Sequence, residues 1–300
     1  NRIHLVSSEK GVGVNLGNLT ARQGDISLDA NGKLVLNNSL SGGALTVKAT
    51  SAELSGDNKA TGAATVTAQN GIALKQGSLV SDKTVSLTTG DGVDIADGKV
   101  TAGEAIRLAG SGLAIDKTST ADAAGDIDRN AQSGTLDNAG QPTAGRAMTL
   151  NAGTVNHTGS LAAKGRLDAT GKTLDNLGTL SAGGDVSLHV DDRIRNDGSI
   201  LADGTLEATT GELAQDGKVS GRKGVTVKSD TLSSGKDAQI LSEGDITVNT
   251  QRTADIAGEV NAGGALALNS GTLNTDTTAR LQGQNVDLTA TKATLNGTPA

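Results

Sequence analysis

An apolar pair, with one residue between its two members, returns about every twenty residues along this 300-residue chain. From Ile26 to Val286 the first member recurs over 260 residues in thirteen steps of 19 to 21, a mean of 20.0. Self-similarity at a fixed period of this length indicates a solenoid, in which each repeat contacts only its neighbours. The whole chain is therefore predicted to be one repeat array.

Both members of the pair are expected to point into a common core, because residues two apart in a strand share a face. The first members are Ile3, Ile26, Leu45, Ala64, Val85, Ile106, Ile127, Met148, Leu167, Val186, Leu206, Val225, Ile246, Leu266 and Val286. The second members are Leu5, Leu28, Val47, Val66, Leu87, Leu108, Arg129, Leu150, Ala169, Leu188, Ala208, Val227, Val248, Leu268 and Leu288. Arg129 is the one polar residue among them.

Composition favours a thin core over a compact globular one. The chain has no Phe, Tyr or Trp, but it has 42 Gly, and aromatic residues dominate most cores and binding hot spots. Its charge of −7, from 33 acidic and 26 basic residues, is spread without blocks. This distribution argues against nucleic acid and anionic membranes as partners. The absence of Cys excludes disulfides and Cys-based metal sites.

Each repeat also carries a second and a third apolar site, as in the series Val186 and Leu188, Ile194, Ile200. Helical periodicity is not sustained, and Gly or Asn-Gly-like breaks arrive every six to nine residues. The spacing matches neither leucine-rich repeats nor the six-residue period of left-handed β-helices. We therefore predict an all-β, right-handed parallel β-helix of about fifteen coils of roughly 20 residues, each with three short strands.

One column changes chemistry along the chain. The next inward position after the second apolar site, two residues further on, is first aliphatic, at Leu36, Leu74, Ile95 and Ile115. It then becomes polar, at Asn138, His157, Asn176, Asn196 and Gln215. Stacked side chains of this kind can hydrogen-bond along the solenoid axis, so we predict a structural ladder. Glycines two residues further on are expected to adopt positive φ in sharp turns. They are Gly140, Gly159, Gly178, Gly198 and Gly217.

These patterns divide the chain into four sections. Residues 1–25 form a junction and first coil, 26–115 a β-helix with aliphatic stacks, and 116–135 an irregular coil or loop. Residues 136–300 form a β-helix with the polar ladder. The repeat is already in register at Ile3 and still continues at Leu295, without a polar cap, signal peptide or transmembrane run. A segment of a longer exported chain is therefore expected.

The stretch Leu174-Asp-Asn-Leu-Gly-Thr-Leu-Ser-Ala-Gly-Gly-Asp-Val-Ser-Leu188 resembles the haemagglutinin repeat of filamentous haemagglutinin and of contact-dependent growth inhibition exoproteins. The coils that start at Leu136, Val155, Ile194 and Leu213 are variants of it. The opening Asn1-Arg-Ile-His-Leu-Val-Ser-Ser-Glu-Lys-Gly-Val-Gly-Val14 resembles the junction between the two-partner secretion domain of these exoproteins and their shaft. Residues 26–115 fit by period more than by motif.

The resemblance implies a long exoprotein, secreted to the cell surface of a Gram-negative bacterium through an outer-membrane two-partner secretion transporter. It also implies that receptor binding or toxin activity usually sits in other regions of the parent chain. A target-cell receptor would then be contacted outside this segment.

Candidate catalytic and metal sites are weak. Ser187, His189 and Asp191 supply the residue types of a hydrolase, but residues two apart in a strand are about 6.6 Å apart, too far for a nucleophile and its base. Asp91, Asp94 and Asp97 match no calcium-loop spacing. We therefore assign no catalytic, cofactor-binding or metal-ligating residue, and expect no enzyme, cofactor or small-molecule substrate.

Three functions remain open from the sequence. The leading hypothesis is a structural shaft that holds an adhesive or toxin-delivery region away from the cell. The alternative is an adhesin module that binds a host or target-cell receptor directly, through the segment from Lys117 to Gln132. The third is a β-helical polysaccharide-active enzyme, which the fold alone does not support.

Overall fold

The structure is a computed structural model that describes residues 1–296. The last four residues of the predicted 136–300 section lie outside the described part. Residues 1–296 contain strands and turns but no helix, as the apolar period predicts. The chain divides into two compact units, residues 1–153 and residues 154–300.

In the first unit the strands run from β1 to the first part of β17. Their bounds are β1 Ile3–Ser7, β2 Val14–Ala21, β3 Ile26–Ala30, β4 Lys33–Ser41, β5 Leu45–Ala49, β6 Ser51–Ala60, β7 Ala64–Ala68, β8 Ile72–Ser81, β9 Val85–Thr89, β10 Gly92–Ala102, β11 Ile106–Ala109, β12 Gly112–Ile115, β13 Thr120–Ala123, β14 Ile127–Asn130, β15 Thr135–Asn138, β16 Thr143–Ala144 and β17 Met148–His157.

The second unit continues from the end of β17. Its strands are β18 Ser160–Ala163, β19 Leu167–Asn176, β20 Thr179–Ala182, β21 Val186–Asn196, β22 Ser199–Ala202, β23 Thr205–Gln215, β24 Lys218–Gly221, β25 Gly224–Ser234, β26 Gln239–Ser242, β27 Asp245–Ile256, β28 Glu259–Ala262, β29 Ala265–Thr275, β30 Arg280–Gln282 and β31 Asn285–Leu295.

Each strand pairs in parallel with its equivalent one coil later. In the first unit Ile26 pairs with Leu45, and Ile106 pairs with Ile127. In the second unit Val186 pairs with Leu206. The predicted apolar columns are therefore columns of stacked residues, and both units are parallel β-solenoids.

The predicted core is confirmed within one coil of the second unit. Val186, Leu188, Ile194 and Ile200 are each no more than 1 % exposed. Because alternate residues of a strand point to opposite faces, the intervening positions face solvent. A slip of one residue would exchange the two sets, so the apolar pattern fixes the register.

Two coils of the first unit have three separate short strands, β11 to β13 and β14 to β16, whereas in other coils one strand continues over two faces. In the second unit β21 covers the first and second faces without a break, and β22 forms the third. In the first unit β4 instead covers the second and third faces. Long strands turn these corners with local register irregularities, as between Val190 and Arg193. Bulges of this kind let a strand bend while its pairing continues.

The segment of residues 116–135 contains paired strands. Within it, β13 pairs with β10 and β14 pairs with β11, so that Ala121 lies beside Val100 and Ile127 beside Ile106. The departures from the repeat motif lie in β14, at Arg129, and in the turns between the strands. One of these turns is closed by Asp116, whose carboxylate accepts hydrogen bonds from Thr118 and Ser119.

The expected positive φ of the turn glycines is wrong. Among residues 1–296, positive φ in glycine is confined to Gly11, Gly56 and Gly71. The turn glycines are needed for a different reason. A Cβ on Gly198 would lie 2.1 Å from the carbonyl oxygen of Gly178 in the preceding coil. Consecutive turns stack so closely that only glycine fits.

A charge placed in the core should unfold the second unit, whereas the same charge one residue away should not. Leu188 is stacked between Ala169 and Ala208 in the core, so Leu188→Asp is expected to lower the free energy of unfolding by about 3 kcal/mol or more. The control is Ser187→Asp on the outward face of the same strand. Urea denaturation of both variants measures the difference, and equal midpoints would contradict the register.

Candidate functional site

The change from aliphatic to amide side chains in one column is seen directly in the first unit. Ile95 pairs with Ile115, and Ile115 pairs with Asn138. All three side chains are at most 2 % exposed. Leu54, which the sequence reading passed over, also belongs to this column, between Leu36 and Leu74. The column is continuous, and its polarity changes at Asn138.

In the second unit the polar column forms a chain of side-chain hydrogen bonds. Asn176 Nδ2 donates to Asn196 Oδ1 at 2.6 Å, and Asn196 Nδ2 donates to Gln215 Oε1 at 2.8 Å. Gln215 Nε2 donates to the carbonyl oxygen of Gly217 at 2.8 Å. These three side chains have no solvent exposure. Buried amides are costly unless they are bonded, and the two bonds between side chains join one coil to the next.

The same amides also hold the corner between the second and third faces. Asn176 Nδ2 donates to the carbonyl oxygen of Ser199, and Asn196 Nδ2 to that of Lys218. Each acceptor is the first residue of the third strand in the following coil. A ladder amide therefore bonds twice to the coil after it, through a side chain and through the backbone.

His157 occupies the first ladder position of the second unit and is fully buried. One ring nitrogen, Nε2, lies 2.9 Å from the carbonyl oxygen of Thr179, the bond that an amide makes to the corner. An amide at this position would present a second N–H to the next ladder residue. The buried Oδ1 of Asn176 has no hydrogen-bond partner, which we attribute to the missing second donor.

Arg129, the polar residue in the second inward column of the first unit, is fully buried. It pairs with Leu108 on one side and Leu150 on the other. Its Nη1 donates to Asn138 Oδ1 at 3.0 Å, and Asn138 Nδ2 donates to the carbonyl oxygen of Gly140. Asn138 follows the aliphatic Ile115, so the preceding coil offers its amide oxygen no side-chain N–H. Arg129 supplies that donor instead.

Burial lowers the pKa of Arg129 to about 9, an effect that the charge of Asp137 opposes. The guanidinium therefore stays protonated at neutral pH, at a cost in desolvation. Its Nε and Nη2 are buried and have no hydrogen-bond partner. The repeat pattern singles out Arg129 as an exception, but its bond to Asn138 is visible only in the structure.

Aspartates form a further recurring bond between coils. Asp25 Oδ1 accepts the backbone N–H of Ala44 in the first unit. In the second unit Asp185 accepts that of Thr205, and Asp245 that of Ala265. The backbone and hydroxyl bonds from Thr205 lower the pKa of Asp185. The Gly-Asp steps that precede four of the inward pairs, at residues 24–25, 125–126, 184–185 and 244–245, are thus turns that the next coil caps.

The remaining sequence candidates lie at the surface, away from the ladder. His189 and Asp191 are exposed on the outward side of β21, as expected for a solvated strand face. Asp91, Asp94 and Asp97 are also exposed. Within residues 1–296 no group of three or more His, Cys, Asp or Glu side chains is placed to hold a metal ion. The same residues include no helix long and apolar enough to span a bilayer.

The family of the chain follows from comparison with known proteins. The profile of the haemagglutinin repeat matches residues 1–38, 111–176, 161–250 and 219–298, which is more than half of the chain. The chain therefore belongs to the haemagglutinin-repeat family, whose members are secreted surface exoproteins of Gram-negative bacteria. The unmatched residues 39–110 lie in the section where the motif resemblance is weakest.

More particularly, the chain is a haemagglutinin-repeat segment similar to CdiA proteins. "Toxin CdiA" of Escherichia coli is 35% identical over all of this chain and 11% of its own length. "16S rRNA endonuclease CdiA" of Enterobacter cloacae subsp. cloacae is 31% identical over 91% of this chain and 6% of its own. "tRNA nuclease CdiA" of Escherichia coli (strain NC101) is 54% identical over 56% of this chain and 5% of its own.

The chain thus spans about a tenth or less of the curated relatives it matches. No solved structure matches it.

Removing one amide from the ladder should cost stability although the substitute is apolar. Asn176→Leu leaves Asn196 Oδ1 and the Ser199 carbonyl without a donor, so a loss of about 1–3 kcal/mol is expected. Leu177→Ala is the control, because Leu177 is 55% exposed next to the ladder. Urea denaturation reads out both. An unchanged midpoint for the Asn176 variant would show that the ladder does not contribute to stability.

An amide at the first ladder position should stabilise the second unit more than an apolar side chain does. His157→Asn would supply an N–H for Asn176 Oδ1, and a gain of about 1 kcal/mol over His157→Leu is expected. Both substitutions remove the imidazole, and only the first restores donors. Thermal unfolding of the pair measures the difference. If the leucine variant were as stable as the asparagine variant, a missing donor would not explain the orphaned oxygen.

Proposed function

We propose that this chain is a shaft segment that holds an adhesive or toxin-delivery region of a larger exoprotein away from the bacterial surface. The observation that carries the proposal is the repetition of the same inter-coil contacts. Each coil packs its inward apolar pair against that of the next coil. The ladder amides and turn aspartates form hydrogen bonds to the next coil. A protein built in this way gains length without needing a new core.

The relatives are named for a toxin or for nuclease activities, and the chain covers a small part of each. We infer that the corresponding activity of the parent exoprotein lies outside this segment. We further infer that the parent chain crosses the outer membrane through a two-partner secretion transporter. Folding one coil at a time suits such export, because each added coil buries its own Val, Ile and Leu side chains.

A shaft should tolerate the loss of a whole coil. Deleting residues 167–185 would bring Val186 to the position of Leu167 and Asn196 to that of Asn176, so all columns stay in register. The remaining coils would close up by about 4.8 Å. In the parent exoprotein on cells, we expect normal export, target-cell binding and delivery.

The matched control deletes residues 167–176 alone. Half a coil is lost, so inward-facing residues of one coil would be aligned with outward-facing residues of the next. The second unit should therefore misfold. Retained delivery with the whole-coil deletion and lost folding with the half-coil deletion would support the shaft. Abolished target-cell binding despite normal export and folding of the whole-coil deletion would contradict it in favour of a receptor-binding module.

A further inference from the structure

The most unusual polar group in the first unit is the buried guanidinium of Arg129. The side chain is fully buried between Leu108 and Leu150. One guanidinium nitrogen, Nη1, is bonded to Asn138 Oδ1. The other two, Nε and Nη2, are buried without a hydrogen-bond partner. Such a group is expensive, because a buried cation needs both a counter-charge and acceptors for its N–H groups.

The two orphaned nitrogens lie on the same edge of the guanidinium. Their N–H bonds run nearly parallel, in the fork that binds two oxygens of a carboxylate or a single acceptor from the side. Asn138 cannot serve this edge, because its Oδ1 is bonded to Nη1 and its Nδ2 to the Gly140 carbonyl. The charged neighbour, Asp137, is exposed.

We propose that Nε and Nη2 of Arg129 form an internal binding site for one small inorganic anion of the halide class. The charge of Asp137 acts on the guanidinium, but neither orphaned nitrogen has an acceptor, and a halide offers a negative charge in direct contact that can accept two N–H bonds at once. A water molecule would supply an acceptor but no counter-charge. Because Arg129 is fully buried, the ion enters as the coils on either side close around it.

An ion held only by the folded state stabilises that state in proportion to the logarithm of its concentration above the dissociation constant. The 300-residue chain should therefore unfold at a higher temperature in chloride than in gluconate at the same ionic strength, since gluconate is too large to be enclosed. We expect a rise of about 2–4 °C for each tenfold increase in chloride above the dissociation constant.

The double variant Arg129→Met/Asn138→Leu removes the guanidinium and its amide partner together, so neither member of that pair is left unsatisfied, although the Gly140 carbonyl loses its donor. Its melting temperature should not distinguish chloride from gluconate. Arg195→Met is the matched control: Arg195 is exposed and paired with Asp197, so its loss should leave the chloride dependence of the chain intact.

Crystals grown in bromide provide a readout independent of stability. We expect an anomalous peak within hydrogen-bonding distance of Nε and Nη2. A water molecule at this position without anomalous signal would overturn it. A chloride dependence shared equally by wild type and the double variant would also overturn it, because the effect would then arise on the surface.

Discussion

Parallel backbone pairing between coils is the constraint on which the rest of this structure depends. It places each residue about 4.8 Å from its equivalent in the next coil, so the neighbours of a side chain are other members of its own column. Ile106 meets Val85 and Ile127, and Asn196 meets Asn176 and Gln215. Stability in such an array requires the residues of each column to be similar in size and polarity.

The matching explains the points where the pattern changes. Where the aliphatic column turns into amides at Asn138, the preceding member, Ile115, has no donor for the amide oxygen, and Arg129 reaches it from another strand. Where His157 replaces an amide, the next amide oxygen, that of Asn176, has no partner. At Asn138 the buried guanidinium of Arg129 supplies a donor. At Asn176 the unpaired oxygen lowers the local stability.

Much of the fold was predictable, because the period, the inward pair and the face of each strand are all written in residue spacing. Val186, Leu188, Ile194 and Ile200 are buried as predicted. The role of Gly198 was not predictable, since close stacking of turns and positive φ both select glycine and spacing does not distinguish them. The bond from Arg129 to Asn138 was hidden for a similar reason. It joins two columns, whereas the repeat reports contacts within one.

The functional reading follows from the same geometry. The side-chain bonds of Asn176 and Asp185 each join a coil to the next one, and the exposed His189 and Asp191 recur in no such pattern. Length is thus the property that this repeat adds most directly, which is why we favour a shaft over a binding module.

The most direct test of like-on-like stacking is hydrogen exchange of the side-chain amide protons in the ladder, measured by NMR. The account predicts that the bonded Nδ2 protons of Asn176 and Asn196 exchange as slowly as the backbone amides of β21 and β23, because both are released when coils separate. The exposed amide of Gln251 should exchange rapidly in the same sample. Rapid exchange at Asn176 and Asn196, with protected backbone amides beside them, would contradict the account.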